Sequence, residues 1–188
     1  MRHLSDIEII DSITRGNTAD FSLLINRYKD KAFSLLKRLL RNEMDAEEVL
    51  QDSFLKAYNS LKDFRQDAKF STWFYRIVYN SGLTAIASKK RKIEQEMTSI
   101  DENFDISSVD NQIYATSENV RTYILNIVDK LPLRNAIVVI LFYVDGLSLN
   151  EISGVLGTSL VNTKVLLHRS RNVLRDLLLK HNYQEEML

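Results

Sequence analysis

The sequence predicts an all-α protein with two helical modules joined by an acidic, flexible linker. Apolar residues recur at steps of three and four along most of the 188-residue chain, as in amphipathic helices. No segment combines alternating apolar residues with a hairpin turn, as paired strands would. Residues 93–118 lose the helical period and hold seven acidic residues and no basic one. We therefore expect a first module at residues 1–92, the linker at 93–118 and a second module at 119–188.

Three to four helices are expected in the first module, and the sequence pattern places three of them. Residues 20–40 carry one continuous apolar stripe. The next helix is expected to begin at Asp45, with Glu48 completing a capping box three residues later. A third helix is predicted over about residues 71–92, although Gly82 within it costs about 1 kcal/mol relative to alanine.

The second module is expected to contain four helices, near residues 119–130, 135–144, 149–156 and 160–180. Pro132 suits the first turn of the second of these helices, which is very apolar. Ser148 and Glu151 form a capping box for the third, and Gly157 is placed to end it in the left-handed conformation.

Charge is distributed in blocks although the net charge is zero, with 25 basic and 25 acidic residues. Residues 62–92 hold eight Lys or Arg against two Asp, and residues 162–180 hold five against one Asp. Residues 43–52 hold five acidic residues and no basic one. Because phosphate neutralisation needs Lys and Arg, the two basic blocks are the segments suited to nucleic acid.

Composition disfavours several functional classes. Without cysteine the chain has no disulfide, thiolate nucleophile or cysteine-ligated zinc, as is usual in a reducing compartment. No apolar run approaches the roughly 18 residues of a membrane span, and the first residues lack a signal-peptide pattern. His3, His168 and His181 are too scattered for a metal site, and five glycines form no phosphate loop. We therefore expect a cytoplasmic protein without membrane insertion that is not an enzyme and needs no metal or cofactor.

The segment GTSLVNTKVLLHRSR, residues 157–171, has a glycine turn, a capping Ser159 and a basic end. A short helix, a turn and a longer basic helix form the helix-turn-helix geometry that reads duplex DNA, although an ordinary helical hairpin has the same turn. Bases or phosphates could be met by Lys164, His168, Arg169 and Arg171. Core positions are expected at Leu167, Val173, Leu174, Leu177 and Leu178. Four early positions cannot hydrogen-bond a base edge: Leu160, Val161, Val165 and Leu166.

The segment DFRQDAKFSTWFYRIVYN, residues 63–80, interleaves aromatic and basic side chains. This composition is typical of surfaces where unstacked bases meet aromatic rings and cations follow the backbone. Aromatic residues at helical spacing are more often core, and we prefer that interpretation for Trp73 and Phe74. Exposure is expected for Phe64, Arg65, Lys69 and Tyr79.

The segment DAEEVLQDSFLKAY, residues 45–58, places four polar side chains opposite an apolar stripe: Asp45, Glu48, Gln51 and Asp52. Two interpretations stay open at this point. The face is either simply solvated or docks against a basic protein surface.

These segments, in this order, resemble a bacterial RNA polymerase sigma factor of the extracytoplasmic-function type, within the sigma-70 family. The resemblance covers about residues 20–179 and rests on DAEEVLQDSFLKAY, on FRQDAKFSTWFYRI, on LP followed by YVDGLSLNEISGVLGTS, and on LHRSR. It implies a specificity subunit that performs no chemistry itself. It also implies binding to core RNA polymerase and promoter DNA, and control by an anti-sigma factor.

The resemblance assigns roles to residues in both modules. The acidic helix would bind the β′ clamp helices of the polymerase through Asp45, Glu48, Gln51 and Asp52. The apolar helix of the second module would lie near the β flap contact. Downstream promoter DNA would be melted and held by Phe64, Arg65, Lys69, Thr72, Arg76, Tyr79 and Asn80. The upstream element would be met by Ser159, Asn162, Lys164, His168, Arg169 and Arg171.

The sequence departs from the family pattern at several positions. Thr84 stands where an acid is usual and Tyr79 where a base is common, while the usual Thr, Ser and Arg of the last helix are replaced by Asn162, Val165 and Leu166. These replacements predict weaker base reading by the second module. Two other functions remain open: a helix-turn-helix regulator that binds duplex DNA without polymerase, and a protein-interaction module that binds no DNA.

Overall fold

A computed structural model describes residues 4–97 and 125–185, and the regular elements within these ranges are all helical. The all-α prediction is therefore confirmed. The first module contains α1 (Asp6–Thr14), α2 (Phe21–Leu40), α3 (Glu43–Asn59) and α4 (Phe70–Met97). The second contains α5 (described over residues 125–129), α6 (Leu133–Tyr143), α7 (Leu149–Leu156) and α8 (Leu160–Glu185).

Helix α4 continues through Met97, so the first five residues of the predicted linker are helical. The remainder of that linker, residues 98–118, lies outside the described residues. The final helix also extends five residues beyond its predicted end at Lys180. Composition alone underestimated both helices, because polar and acidic residues are compatible with a helix whose apolar face has already been established.

Helices α2, α3 and α4 pack together around the core of the first module. The rings of Phe54 and Phe74 stack with centroids 4.7 Å apart, which joins α3 to α4. Gly82 explains how α4 approaches α2 so closely. A Cβ atom at this position would lie 3.0 Å from Leu39 and 3.1 Å from Leu36.

The start of α3 corrects one prediction. Asn42, not Asp45, caps this helix, because its side-chain oxygen accepts the backbone N–H of Asp45 at 2.9 Å. The helix therefore begins at Glu43, and Asp45 lies in its first turn. The carboxylate of Asp45 is instead paired with Nζ of Lys89 on α4, at 2.9 Å.

Helix α1 is the fourth helix of the first module, and its position was not predicted from the sequence. Ser5 and Glu8 form a capping box at its start, and its inward face buries Ile9, Ile10 and Ile13. Asp6 anchors α1 to α2 through Arg27 and Tyr28. The four-residue spacing of Ile9 and Ile13, with Ser5 ahead of them, is the signal that could have identified this helix.

The turns of the second module largely follow the prediction. Oε2 of Glu151 accepts the backbone N–H of Ser148 at 2.8 Å, and Oγ of Ser148 accepts that of Glu151 at 3.3 Å, which confirms the capping box. Gly157 ends α7 with a φ of 61°, also as predicted. Pro132 precedes α6 as its capping residue rather than occupying its first turn.

Candidate protein and nucleic-acid interfaces

One face of α3 is polar and open to solvent. Glu48, Gln51 and Asp52 are exposed there, opposite the buried residues Ala46 and Ser53. Asp45 is only partly available because of its pair with Lys89. Three of the four side chains predicted to contact polymerase therefore form one accessible surface.

Two exposed apolar side chains complete this surface. Met44 is 80% exposed and Leu55 is 61% exposed. Both lie on the same side of α3 as Glu48 and Gln51, because successive positions in this set of four are four, three and four residues apart. We call Met44, Glu48, Gln51, Asp52 and Leu55 the α3 face. Exposed apolar side chains next to exposed polar ones are typical of a protein-docking surface, and the same periodicity could have revealed them in the sequence.

The surface of α4 and the loop before it carries four exposed predicted DNA contacts: Arg65, Lys69, Arg76 and Asn80. Arg65 is paired with Asp67 at 3.2 Å, and both side chains are largely exposed. Phe64 is half-buried, with its ring centroid 5.1 Å from that of Trp73. Phe74 is fully buried, as expected, and Trp73 is half-buried against the core.

Two other predicted contacts on α4 are buried. Tyr79 is 4% exposed, contrary to the expectation, because it follows buried Tyr75 by four residues and lies on the same inward side of the helix. Thr72 is 6% exposed because α7 covers it. Its Cγ2 atom lies 3.4 Å from the position that a Cβ atom would take at Gly154.

Helices α7 and α8 form the predicted helix-turn-helix. Oγ of Ser159 accepts the backbone N–H of Asn162 at 3.1 Å and so caps α8. Thr163, Leu167 and Ser170 face inward. The exposed predicted contacts are Asn162, Lys164, His168 and Arg169.

The outward face of α8 starts with apolar residues. Val161 is 69% exposed, and Leu160 and Val165 are also exposed. Leu166 differs from them, because it packs against the core. Val173 was expected in the core and is exposed instead.

Arg171 contacts α6 as well as facing solvent. Its Nε–H donates to the hydroxyl of Tyr143 at 2.7 Å. Its guanidinium carbon lies 5.6 Å from the ring centroid of Phe142 and 5.5 Å from that of Tyr143. These contacts fix the middle of α8 against the end of α6 and hold the guanidinium in place.

Among the residues that the structure describes, ion pairs at three places connect the two modules. Nζ of Lys69 lies 2.9 Å from Oε1 of Glu151. Nζ of Lys31 lies 3.7 Å from Oδ1 of Asp145. A third pair, 3.2 Å long, joins Nε of Arg38 to Oδ1 of Asp129, although the N–H group is not aligned for a hydrogen bond. In each pair the cation belongs to the first module and the acid to the second.

The environments of these acids differ. Burial raises the pKa of Asp145, and the nearby Lys31 and Arg38 only partly oppose that effect. Burial also acts to raise the pKa of Glu151, but hydrogen bonds from Ser148 and Lys69 outweigh it, so that this pKa is lowered. Burial raises the pKa of Tyr75 as well, with a further contribution from Asp145.

Within residues 4–97 and 125–185, no cluster of three or more histidine and acidic side chains could hold a metal ion. Nor does any helix in the described part of the chain combine the length and apolarity needed to cross a bilayer.

Comparison with known families matches both modules. Residues 24–92 match the family model for sigma-70 region 2, and residues 121–174 match that for sigma-70 region 4. The chain is 30% identical over 180 residues to an ECF RNA polymerase sigma-E factor of Salmonella typhimurium, covering 91% of this chain and 93% of that protein. It is 32% identical over 175 residues to the ECF RNA polymerase sigma factor SigW of Bacillus subtilis, covering 88% and 92%.

Solved structures share the fold. CnrH, determined in complex with the cytosolic domain of CnrY, superposes with a TM-score of 0.63 at 22% identity, over 90% of this chain and 94% of that one. The sigma factor RpoE of Bartonella quintana, determined with the anti-sigma factor NepR, gives a TM-score of 0.65 at 20% identity, over 85% and 96%.

Proposed function

Because this chain belongs to the sigma-70 family and is an RNA polymerase sigma factor of the ECF type, we propose specific residues for each step by which it directs transcription from promoters. The family is not a class of enzymes. We assign to this chain the selection and opening of a promoter in the cytoplasm, while core RNA polymerase performs the phosphodiester chemistry. No metal, cofactor or catalytic residue is assigned to the chain.

The α3 face is the proposed contact with the β′ clamp helices of core polymerase. The observation that carries this assignment is the exposure of Leu55 and Met44 beside Glu48, Gln51 and Asp52. A purely solvated acidic face would not need two large exposed apolar side chains flanking its polar residues, whereas a docking surface would. The acidic rim supplies complementarity to a basic partner.

A core-binding assay tests this assignment. Gln51→Lys combined with Asp52→Lys should abolish stable association with purified core polymerase, because two cations would replace the polar rim. Asp30→Lys combined with Asp63→Lys is the matched control, since both acids are exposed outside α3. Unchanged binding by the first variant would exclude the α3 face as the clamp contact.

The exposed surface of Arg65, Lys69, Arg76 and Asn80 is the proposed site for the melted downstream element. These cations and the half-buried Phe64 provide the charge and aromatic surface that unpaired bases need. The buried Thr72 and Tyr79 join this surface only if α7 moves or α4 repacks.

The outward face of α8 is the proposed contact with the upstream element. Lys164, His168 and Arg169 are exposed there, and Ser159 opens the helix. Arg171 would meet phosphate while remaining bound to Tyr143. Residues 136–141 of the apolar helix α6 are buried, so we assign the β flap contact to two exposed residues at its C-terminal end, Tyr143 and Val144.

An anti-sigma factor is the proposed regulator. Two proteins with this fold, CnrH and RpoE, were solved with a partner protein, and for RpoE that partner is named as an anti-sigma factor. The test is to purify an affinity-tagged copy of this chain from its own cells and to identify the proteins that remain bound. The same purification with the Gln51→Lys, Asp52→Lys variant distinguishes a regulator from core polymerase. A regulator should remain bound when polymerase is lost.

A further inference from the structure

We propose that Tyr143 is a positioning residue for upstream DNA: it holds the guanidinium of Arg171 so that the two terminal nitrogens of that group meet one backbone phosphate. This role rests on the proposed contact of Arg171 with the upstream element and goes further, because it makes a residue of α6 necessary for a DNA contact of α8. Tyr143 thus serves DNA binding without itself touching DNA.

Two aromatic rings at the end of α6 fix where the guanidinium lies. Phe142 and Tyr143 are consecutive, and their rings meet edge to face, with centroids 5.0 Å apart and an angle of 84° between their planes. The guanidinium carbon of Arg171 lies within 5.6 Å of both centroids. Because the two rings are almost perpendicular, their attraction for the cation restricts its movement in two directions rather than one.

The hydrogen bond to Tyr143 fixes how the guanidinium is turned. An arginine side chain has five N–H groups, one on Nε and four on the terminal nitrogens. The Nε–H group donates to the hydroxyl oxygen of Tyr143 at 2.7 Å, and no other acceptor for Arg171 lies among the residues that the structure describes. Arg171 is exposed, so its four terminal N–H groups are available in the flat fork that matches two oxygens of a phosphate.

The chemistry of the partner matters as much as its place. A carboxylate would hold a guanidinium equally firmly, but it would neutralise the charge and compete with phosphate. Arg175, one turn later on α8, is paired in that way, since its Nε lies 3.5 Å from Oδ1 of Asp176. Tyr143 offers a neutral acceptor, so Arg171 is held in place with its whole charge left for DNA. A side chain that is already ordered before binding loses less entropy when it meets its ligand.

A double-mutant cycle tests whether Tyr143 acts through Arg171. The full chain is titrated, without polymerase, against a short fluorescein-labelled DNA duplex of mixed sequence, and fluorescence anisotropy gives the dissociation constant. Phosphate contacts do not depend on sequence, and no flap contact can contribute when polymerase is absent. Tyr143→Phe, which removes only the hydroxyl, should weaken binding about threefold in the wild-type chain and have no effect in the Arg171→Ala chain.

Salt dependence supplies a readout that a merely structural role would not change. The loss of one phosphate contact reduces the slope of log affinity against log salt concentration by about 0.9. Arg171→Ala should show this full reduction and weaken binding about fivefold at low salt, whereas Tyr143→Phe should show part of the reduction although it removes no charge. Arg171→Lys keeps the charge but loses the Nε–H group and the flat fork, so it should not restore wild-type affinity.

Two variants are matched controls. Tyr58→Phe removes the hydroxyl of another exposed tyrosine, on α3, and should leave the affinity unchanged. Arg175→Ala removes the same charge from α8, and in that chain Tyr143→Phe should still weaken binding about threefold. Circular dichroism establishes that each variant keeps its helical content.

Two results would overturn the positioning role while leaving the DNA contact intact. One is wild-type affinity of Tyr143→Phe alongside weakened binding by Arg171→Ala. The other is an equal loss from Tyr143→Phe in the wild-type and Arg171→Ala chains, which would mean that Tyr143 acts independently of Arg171. If Arg171→Ala itself binds like wild type with an unchanged salt slope, the proposed phosphate contact fails and the positioning role fails with it.

Discussion

Oε1 of Glu151 lies 2.9 Å from Nζ of Lys69, while Oε2 of the same carboxylate accepts the backbone N–H of Ser148 at 2.8 Å. One side chain thus caps α7 and links that helix to α4. Glutamine also serves in capping boxes, so the two roles can be separated by substitution.

Glu151→Gln should loosen the contact between the modules with little loss of stability, because the cap is retained. Glu151→Ala should lose both interactions and lower the free energy of unfolding by about 1 kcal/mol more. Denaturant unfolding of the two variants measures this difference. Equal destabilisation would mean that the ion pair, not the cap, makes the main contribution of Glu151 to stability.

Leu55→Asp should weaken binding to core polymerase by about tenfold or more, since it places a charge where the α3 face offers its apolar anchor. Titration of labelled core polymerase gives the dissociation constant. Leu23→Asp alters another exposed leucine, outside α3, and should leave affinity unchanged. If both variants bind like wild type, Leu55 is not an anchor.

Val161 and Val165 predict sensitivity to the methyl group of thymine. Valine cannot hydrogen-bond a base edge, but it can contact the thymine methyl in the major groove. Uracil lacks this methyl group. Replacing thymine by uracil in the upstream element should therefore raise the dissociation constant of polymerase carrying the wild-type chain roughly fivefold, which corresponds to about 1 kcal/mol. Combining Val161→Ser with Val165→Ser should remove that discrimination. Equal wild-type affinity for both DNAs would contradict methyl contact.

Gly82→Ala should fail to deliver the stabilisation of about 1 kcal/mol that alanine normally gives over glycine inside a helix. The added Cβ atom would press on Leu36 and Leu39, and the cost of overpacking offsets the gain. Ala87→Gly, at an exposed position of the same helix, should show the ordinary loss of about 1 kcal/mol. Thermal unfolding compares the two; a clear gain from Gly82→Ala would contradict the tight approach.

The contact between the two modules should become more stable as pH falls from neutrality through the raised pKa of Asp145, because burial there disfavours the ionised carboxylate. A carboxyl group whose pKa is raised in one form binds its proton more tightly there, so its contribution is present at low pH and lost as pH rises. Glu151 acts in the opposite sense, because its pKa is lowered and its contribution disappears only at still lower pH. Energy transfer between dyes on Asn59→Cys and Arg175→Cys should report this trend. Asp145→Asn should remove it.

Local features were predictable where a residue type strongly favours one structural role, such as capping a helix or adopting a positive φ. The Ser148 and Glu151 box and the turn at Gly157 depend only on short-range chemistry. The start of α3 was misplaced because Asn42 and Asp45 are both good capping residues, and only the helix backbone decides between them.

The buried state of Tyr79 was missed for a different reason. The aromatic and basic residues around it suggested a DNA-binding surface. Tyr79 is, however, four residues after the buried Tyr75, so both side chains lie on the inward side of α4. The pairing of the modules had no local signal at all. Lys69 and Glu151 are far apart in the sequence, and nothing in either segment identifies the other as its partner.

The common polarity of the three ion pairs changes what salt should do to this protein. Salt weakens ion pairs within the chain as well as ion pairs between its cations and DNA phosphates. As ionic strength rises, cations released from their own carboxylates partly offset the loss of phosphate binding. The affinity of this chain for DNA should therefore depend less steeply on ionic strength than its number of cations implies, whereas Arg38→Glu, which removes one of the pairs, should show a steeper dependence.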